Sequence, residues 1–227
     1  MRFLTPLALC IIAYIFPAVA GCIASARADT DDTVDELTQH LIGYREYRTN
    51  LPSRHANWAT MRAFVVNADG TNRRELAHEL VQDENTWTAF GGWSPDGHTA
   101  IIEKGRNTPE NAAWEETHKT FRRSTGWLYD VYLLDMQSGR LVNVSEPQRM
   151  SNFNGGARYW PGNPNKLLGN ALIDEINHPI IMNTDGTGKQ DLISGSAGGF
   201  TYSPGISPNG KRIAYHTNYH LYLADGD

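Results

Sequence analysis

The stretch WSPDGHTAII at 93–102 decides the fold, because the chain repeats it. The same pattern returns as ISPNGKRIAY at 206–215 and, in altered form, as YWPGNPNKLL at 159–168. In each copy an aromatic or apolar residue precedes a proline-containing turn, and a short β-forming run follows. Proline presets φ for a turn, and Asp-Gly or Asn-Gly supplies the positive φ that folds one strand back on the next. Each copy therefore predicts a pair of antiparallel strands.

A second pattern recurs out of phase with the first. Its copies are VVNADGTNRREL (65–76), LLDMQSGRLVNV (133–144), IMNTDGTGKQDL (181–192) and YLADGD (222–227). Each copy places a glycine-containing turn beside β-forming residues. Gly139, Gly186 and Gly226 follow one another at roughly 40 to 47 residues, which is the length of one four-stranded blade. The interleaved patterns predict an all-β fold, a β-propeller of four-stranded antiparallel blades.

The two patterns divide residues 41–227 into blades. Blade 1 is expected to supply three strands between about 41 and 77, blade 2 to run from about 86 to 146, blade 3 from about 152 to 194, and blade 4 from about 199. We expect Trp93 and Ile206 to be buried between blades. We expect helices only in the N-terminal 40 residues and in an insertion at 103–127.

The blade count leads to an expectation about the whole protein. Two full and two partial blades do not readily close a ring, because propellers usually have four to eight blades and each blade must cover the next. We therefore expect the chain to be the N-terminal portion of a larger propeller. The alternative is a complete open or four-bladed domain.

Residues 1–28 have the pattern of an export signal. Arg2 precedes an apolar run, and small residues follow that run. Two processing sites compete: residues 19–22 (VAGC) resemble a lipoprotein box, in which Cys22 would be acylated, and residues 26–28 (ARA) resemble an A-x-A cleavage site. An uncleaved membrane anchor is a third alternative, which two prolines in the apolar run disfavour.

Composition limits the partners. The formal net charge is −5, and no run of Lys or Arg could follow a phosphate backbone, so nucleic acid is not expected to bind. Both cysteines, Cys10 and Cys22, lie in the leader, so the rest of the chain can form no disulfide of its own. Residues 29–40 are polar and acidic and predict a tether between the leader and the propeller.

The repeats resemble those of the TolB-like β-propeller family. The resemblance rests on the WSPDG-type turn at 93–97, its copy at 207–210 and the turns at 67–70 and 183–186. It covers about residues 41–227 and implies an exported propeller, but it implies little about activity, because one fold hosts many functions. A weaker resemblance links the insertion at 103–127 to the propeller-type oligogalacturonate lyases, which carry an aromatic and charged insertion in an early blade.

The insertion is the clearest departure from the repeat, and long connections in compact repeats are often functional. Trp114, His118 and Phe121 follow helical spacing within it, while His55 and Trp58 lie on the corresponding connection of blade 1. Equivalent connections of successive blades emerge on the same face, so these five residues predict a binding rim. The alternative is that Trp114 and Phe121 only attach the insertion to blade 2.

Two functions remain open. The first is a non-catalytic scaffold of the cell envelope, in the periplasm or at the outer membrane, that binds a protein or a glycan on one propeller face. The second is a carbohydrate-active enzyme of the oligogalacturonate lyase type, with catalytic residues in blades outside this sequence. The sequence itself indicates no catalytic residue, cofactor or metal, and it predicts membrane contact only through a lipid on Cys22.

Overall fold

The computed structural model describes residues 40–120, 126–146, 156–173, 176–193, 202–217 and 220–226. Its strands are β1 (Leu41–Glu46), β2 (Arg62–Asn67), β3 (Arg74–Glu75), β4 (Thr86–Trp93), β5 (Thr99–Asn107), β6 (Trp127–Asp135), β7 (Leu141–Asn143), β8 (Arg158–Trp160), β9 (Asn163–Ile173), β10 (Ile176–Asn183), β11 (Gln190–Asp191), β12 (Tyr202–Ile206), β13 (Arg212–Thr217) and β14 (His220–Asp225). Within these ranges the helices are α1 (Arg54–Ala59), α2 (Pro109–His118) and a 3-10 turn at His78–Leu80.

Some predicted segments lie outside these ranges. They are the export signal at 1–28 with Cys22, and nearly all of the tether at 29–40. In the part of the chain that the structure describes, no helix is long and apolar enough to cross a membrane.

The described strands form four antiparallel sheets, and each sheet is one blade. Blade 1 contains β1 to β3, blade 2 contains β4 to β7, blade 3 contains β8 to β11, and blade 4 contains β12 to β14. Strands adjacent in sequence are adjacent in every sheet, so each blade is a meander. The predicted all-β propeller architecture is confirmed.

The repeated turns have the geometry that their sequences predict. In the WSPDG turn, Asp96 accepts hydrogen bonds from Ser94 Oγ at 2.5 Å and from the backbone N of His98 at 3.0 Å. Gly97 follows with a φ of 74°, a left-handed conformation that glycine adopts without strain. The copy in blade 4 repeats the side-chain bond, since Ser207 Oγ donates to Asn209 Oδ1 at 2.7 Å. Side-chain hydrogen bonds within the turn therefore determine where β4 turns into β5 and where β12 turns into β13.

Apolar clusters lie between successive blades, because alternate residues of each central strand point to opposite faces. On β5, Ile102 faces blade 1 and Ile101 faces blade 3. The cluster between blades 2 and 3 contains Ile101, Val131, Leu133, Val144, Ala157, Leu167, Ala171, Ile180 and Met182. The equivalent cluster between blades 3 and 4 contains Trp160, Leu168, Ile181 and Ile213. Burial of these side chains joins the blades into one stack.

Three expectations about local structure are corrected. Helix α1 and the 3-10 turn at His78–Leu80 lie outside the predicted helical regions, so that prediction is wrong. The insertion is shorter than 103–127, because β5 continues to Asn107 with β4 and β6 paired on its two sides. Trp93 and Ile206 pack against the clusters between blades but are only half-buried.

Strand direction decides which connections share a face. Because the strands of a blade alternate in direction, the connection between its second and third strands always emerges at the same end of the propeller. We call this the B–C end. In blade 1, where β1 to β3 correspond to the last three strands of a full blade, that connection contains α1; in blade 2 it contains α2. The connections of blades 3 and 4 span only residues 174–175 and 218–219.

Candidate functional site

Helix α1 forms because the connection of blade 1 supplies a cap at each end. Ser53 is the N-cap: its backbone is extended, and its Oγ accepts a hydrogen bond from Ala56 N at 3.0 Å. Thr60 ends the helix, and its Oγ donates to Asn57 O at 2.6 Å. An isolated helix of this length is marginal in water, so α1 depends on these caps and on the packing of its buried face.

Helix α2 begins directly after β5. Thr108 is the N-cap and accepts a hydrogen bond from Asn111 N at 3.3 Å. Pro109 lies in the first turn. Its lack of an N–H costs nothing there, because the first backbone N–H groups of a helix have no acceptor within the helix. Lys119 ends the helix with a φ of 56°, in the left-handed region. The insertion therefore places a short, capped helix at the B–C end of blade 2.

The two helices contact each other across the boundary between blades 1 and 2. Ser53 Oγ donates a hydrogen bond to Glu116 Oε1, so the residue that caps α1 also bonds α2. His55 Nδ1 on α1 lies 3.6 Å from Glu115 Oε2 on α2. The two connections thus form a continuous surface at the B–C end.

Glu115 is the buried centre of this contact, with a side chain that is 1% exposed. Its carboxylate accepts hydrogen bonds from Trp127 Nε1 and from Asn107 Nδ2, each at 3.0 Å. Asn107 is the last residue of β5 and Trp127 the first of β6. Glu115 therefore fastens α2 to the two strand ends from which the insertion leaves and to which it returns.

The same network holds the ring of His55. Asn111 Nδ2 donates to Asn107 Oδ1 at 2.8 Å, which directs Asn107 Nδ2 towards Glu115 and towards His55 Nδ1, 3.2 Å away. On the other side of the ring, His55 Nε2 lies 3.1 Å from Asn85 Oδ1. Both ring nitrogens of His55 therefore have polar partners in the network.

A cleft of about 710 Å³ opens between α1 and α2. Its lining consists of His55, Ala56, Ala59, Thr60, Arg62, Glu84, Asn85, Pro109, Ala112, Ala113 and Glu116. Both helices contribute alanines, so the walls are apolar and the side chains leave room between them. The volume lies in the range of roughly 300 to 1,000 Å³ that is usual for ligand pockets.

Two charged residues of the lining already have partners. The Arg62 guanidinium donates to two backbone carbonyls at the junction of α1 and β2, and its Nε lies 3.7 Å from Glu75. The hydrogen bond from Ser53, together with the nearby Lys119 ammonium, holds the pKa of Glu116 below its ordinary value. Glu116 is therefore ionised at neutral pH.

A second recess, of about 260 Å³, lies beside α1. Tyr47, Thr49, Arg54, Asn57 and Trp58 line it. The rings of Tyr47 and Trp58 are 6.2 Å apart and tilted by 38°, and Trp58 packs edge-on against Trp127 at 5.2 Å. The recess therefore combines two aromatic rings with a guanidinium.

The structure divides the predicted binding rim. His55 is buried and lines the cleft, while Trp58 is half-buried and lines the second recess. Trp114 and His118 stack on each other with ring centroids 4.0 Å apart, and they line neither of these two openings. Phe121 lies outside the described residues. The rim stays a prediction for these residues.

Sequence reasoning missed the polar residues that build the cleft. Asn85, Asn107 and Asn111 carry no motif, and Glu115 is not among the residues of the predicted binding rim. In the structure Glu115 points into the buried network, while His118, a predicted rim residue, is exposed and its Nδ1 lies 2.8 Å from Trp114 O. A carboxylate 12 residues before a tryptophan at a strand start was the available signal, and it is a weak one.

The site combines a buried hydrogen-bond network with an open cleft. Among the residues that the structure describes, no group of three or more His, Cys, Asp or Glu side chains could hold a metal ion. The buried network supplies fixed hydrogen bonds, and the cleft supplies an apolar trough with polar edges.

The fold is similar to that of solved TolB structures. A putative TolB from Agrobacterium tumefaciens is 17% identical over 73% of this chain with a TM-score of 0.50, and TolB from Acinetobacter baumannii is 14% identical over 82% with a TM-score of 0.51. The chain covers 53% and 40% of those two proteins, or about half their length. An oligogalacturonate lyase in complex with manganese is 15% identical, with 72% of this chain and 45% of that chain covered and a TM-score of 0.48. No family model and no curated protein matches the sequence. The similarity to TolB shows the propeller fold.

Proposed function

We propose that this protein is an exported, non-catalytic propeller of the cell envelope that binds a segment of another protein in the cleft between α1 and α2. The observation that carries the proposal is the cleft itself. It lies at the B–C end, on two connections that depart from the repeat, and it has the volume of a ligand pocket.

The walls of the cleft are held before any ligand arrives. Glu115 fixes α2 to the strand ends of blade 2, and Ser53 ties α1 to α2. A rigid site avoids part of the conformational entropy that binding otherwise costs. A polypeptide suits the lining, because alanine methyls, hydroxyls, amides and carboxylates match both apolar side chains and a peptide backbone.

A glycan is the second candidate ligand, and the recess beside α1 favours it. The rings of Tyr47 and Trp58 offer flat apolar surfaces, and Arg54 offers donors for hydroxyl or carboxylate groups. The larger cleft has no Trp, Tyr or Phe ring in its lining. We therefore expect a polypeptide to bind in the cleft and a glycan to bind in the recess beside α1.

Selection from a random-peptide phage library against the full chain tests the proposal. Ala113→Trp should abolish binding of the selected peptides, because the indole would fill the cleft from the α2 wall. Thr117→Trp is the matched control, since Thr117 is exposed on the same helix and does not line the cleft. Peptides that bind both variants equally well, or failure to select any peptide, would contradict the proposed cleft.

A further inference from the structure

We infer that the polypeptide segment bound in the cleft is an α-helix with apolar side chains along the face that enters the cleft. This inference rests on the proposed function and names the form and chemistry of the partner. Two properties of the walls carry it: both walls are helix faces with small side chains, and their hydrogen-bonding groups mostly have partners within the protein.

The wall formed by α2 is one side of that helix. Residues spaced i, i+3, i+4 and i+7 share one side of an α-helix. The lining residues of α2 have this spacing and are Pro109, Ala112, Ala113 and Glu116. On the other wall, Ala56 and Ala59 of α1 are three residues apart and share a face. The cleft is therefore a trough that follows α2 for about 10 Å, with room above the alanine methyl groups for larger side chains of a ligand.

The backbone groups of the walls are already used. Inside an α-helix the N–H and C=O groups bond to one another, and carbonyls near the ends of these two helices have side-chain donors as well. Ala59 O accepts a hydrogen bond from Arg62 Nη1 at 2.9 Å. Ala113 O accepts one from Thr117 Oγ, also at 2.9 Å. Such walls offer few partners to the backbone of a ligand.

Hydroxyl and amide groups of the lining have partners too. Thr60 Oγ donates to Asn57 O at 2.6 Å and accepts from Arg48 N at 2.8 Å. Asn85 Oδ1 lies 3.1 Å from His55 Nε2. An extended segment would therefore bury several N–H and C=O groups without hydrogen bonds, at a cost for each. A helical segment bonds its own backbone, so it can fill an apolar trough.

Glu84 gives the bound helix a direction. Its side chain is exposed in the lining, and among the described residues it makes no hydrogen bond or ion pair. Glu116, the other carboxylate of the lining, already accepts from Ser53 and pairs with Lys119. The first N–H groups of a helix have no partner within the helix, and that end carries a partial positive charge. We therefore expect the N-terminus of the bound helix to lie at Glu84.

The test uses the full chain and the tightest-binding peptide from the phage selection. In the complex, NMR of the 13C-labelled peptide should show helical Cα shifts over about two turns. At a peptide position that faces solvent, a change from alanine to valine should weaken binding about threefold, because valine is the poorer helix former. Glu84→Gln should also weaken binding about threefold. Glu79→Gln is the matched control, since Glu79 is exposed outside the cleft.

The outcomes separate this inference from the function on which it rests. Extended Cα shifts in a peptide that still loses binding in Ala113→Trp would keep the cleft as a peptide site and overturn the helical form. Equal or tighter binding with valine would also overturn it, because valine favours extended backbone. Equal affinity of wild type and Glu84→Gln would overturn the direction of the helix. Absence of any peptide sensitive to Ala113→Trp would refute the proposed function itself.

Discussion

Replacement of Glu115 by alanine should destabilise the protein strongly, because it removes the acceptor at the centre of a buried network. The carboxylate accepts hydrogen bonds from Trp127 Nε1 and Asn107 Nδ2, each at 3.0 Å, and it is 1% exposed. A hydrogen bond to a charged group contributes about 1.5 to 3 kcal/mol. Asn107 Nδ2 keeps His55 Nδ1 as a partner at 3.2 Å, so the two losses do not add in full. We expect the free energy of unfolding to fall by about 3 kcal/mol.

Urea unfolding followed by tryptophan fluorescence measures this loss. Glu115→Gln retains one acceptor oxygen and should cost about 1 kcal/mol. Glu110→Ala, at an exposed position of the same helix, controls for the loss of a carboxylate and should change stability by less than about 0.5 kcal/mol. The indole N–H resonance of Trp127 should shift in Glu115→Ala and stay in place in Glu110→Ala. Equal stability of the two alanine variants would refute the role of Glu115 as the fastening of α2.

Three further predictions test the blades and the leader. Burial raises the pKa of Glu103 above 4.5. The contribution of this carboxyl to stability is therefore fully present below about pH 4.5 and is lost as the pH rises. Glu103→Gln should be more stable than wild type at about pH 8, with no gain at about pH 4. Gly105→Ala would place a Cβ 2.1 Å from Nε1 of the buried Trp87 and should cost about 1 to 3 kcal/mol in chemical denaturation, while Gly205→Ala, with no atom nearer than 3.9 Å, should be tolerated. Cys22→Ser should release the protein from the membrane fraction if the lipoprotein box is used, and unchanged fractionation would favour the A-x-A site.

The blades could be predicted from the sequence because their turns are encoded locally. In Ser94 to Gly97, and again in Ser207 to Gly210, the side chain at the third position accepts the hydrogen bonds that close the turn, and glycine supplies the positive φ. No distant residue is needed for this geometry. A pattern of that kind repeats wherever the same residues recur, so the boundaries of the second blade agree with the structure within a few residues.

The ends of the insertion and the helix α1 could not be predicted, because tertiary contacts decide them. Residues 103–107 (EKGRN) look like a polar loop, yet they form a strand, since β4 and β6 satisfy their backbone on both sides. Helix α1 is too short to be stable alone and depends on the cap at Ser53, which in turn bonds Glu116 from another blade. The polar residues around Glu115 have no periodic pattern, so only the fold brings them together.

The length of one type of connection explains why the candidate site lies on blades 1 and 2. Every blade of this fold sends the same connection to the B–C end, and in blades 3 and 4 that connection spans two residues, 174–175 and 218–219. Two residues are enough to reverse the chain but too few to form a helix that could line a cleft. In blade 1 the longer connection forms α1, and in blade 2 it forms α2. Within the described part of the chain, a cleft between neighbouring blades therefore occurs where both blades carry a helix. The repeat therefore supplies the scaffold, and the two departures from the repeat supply the site.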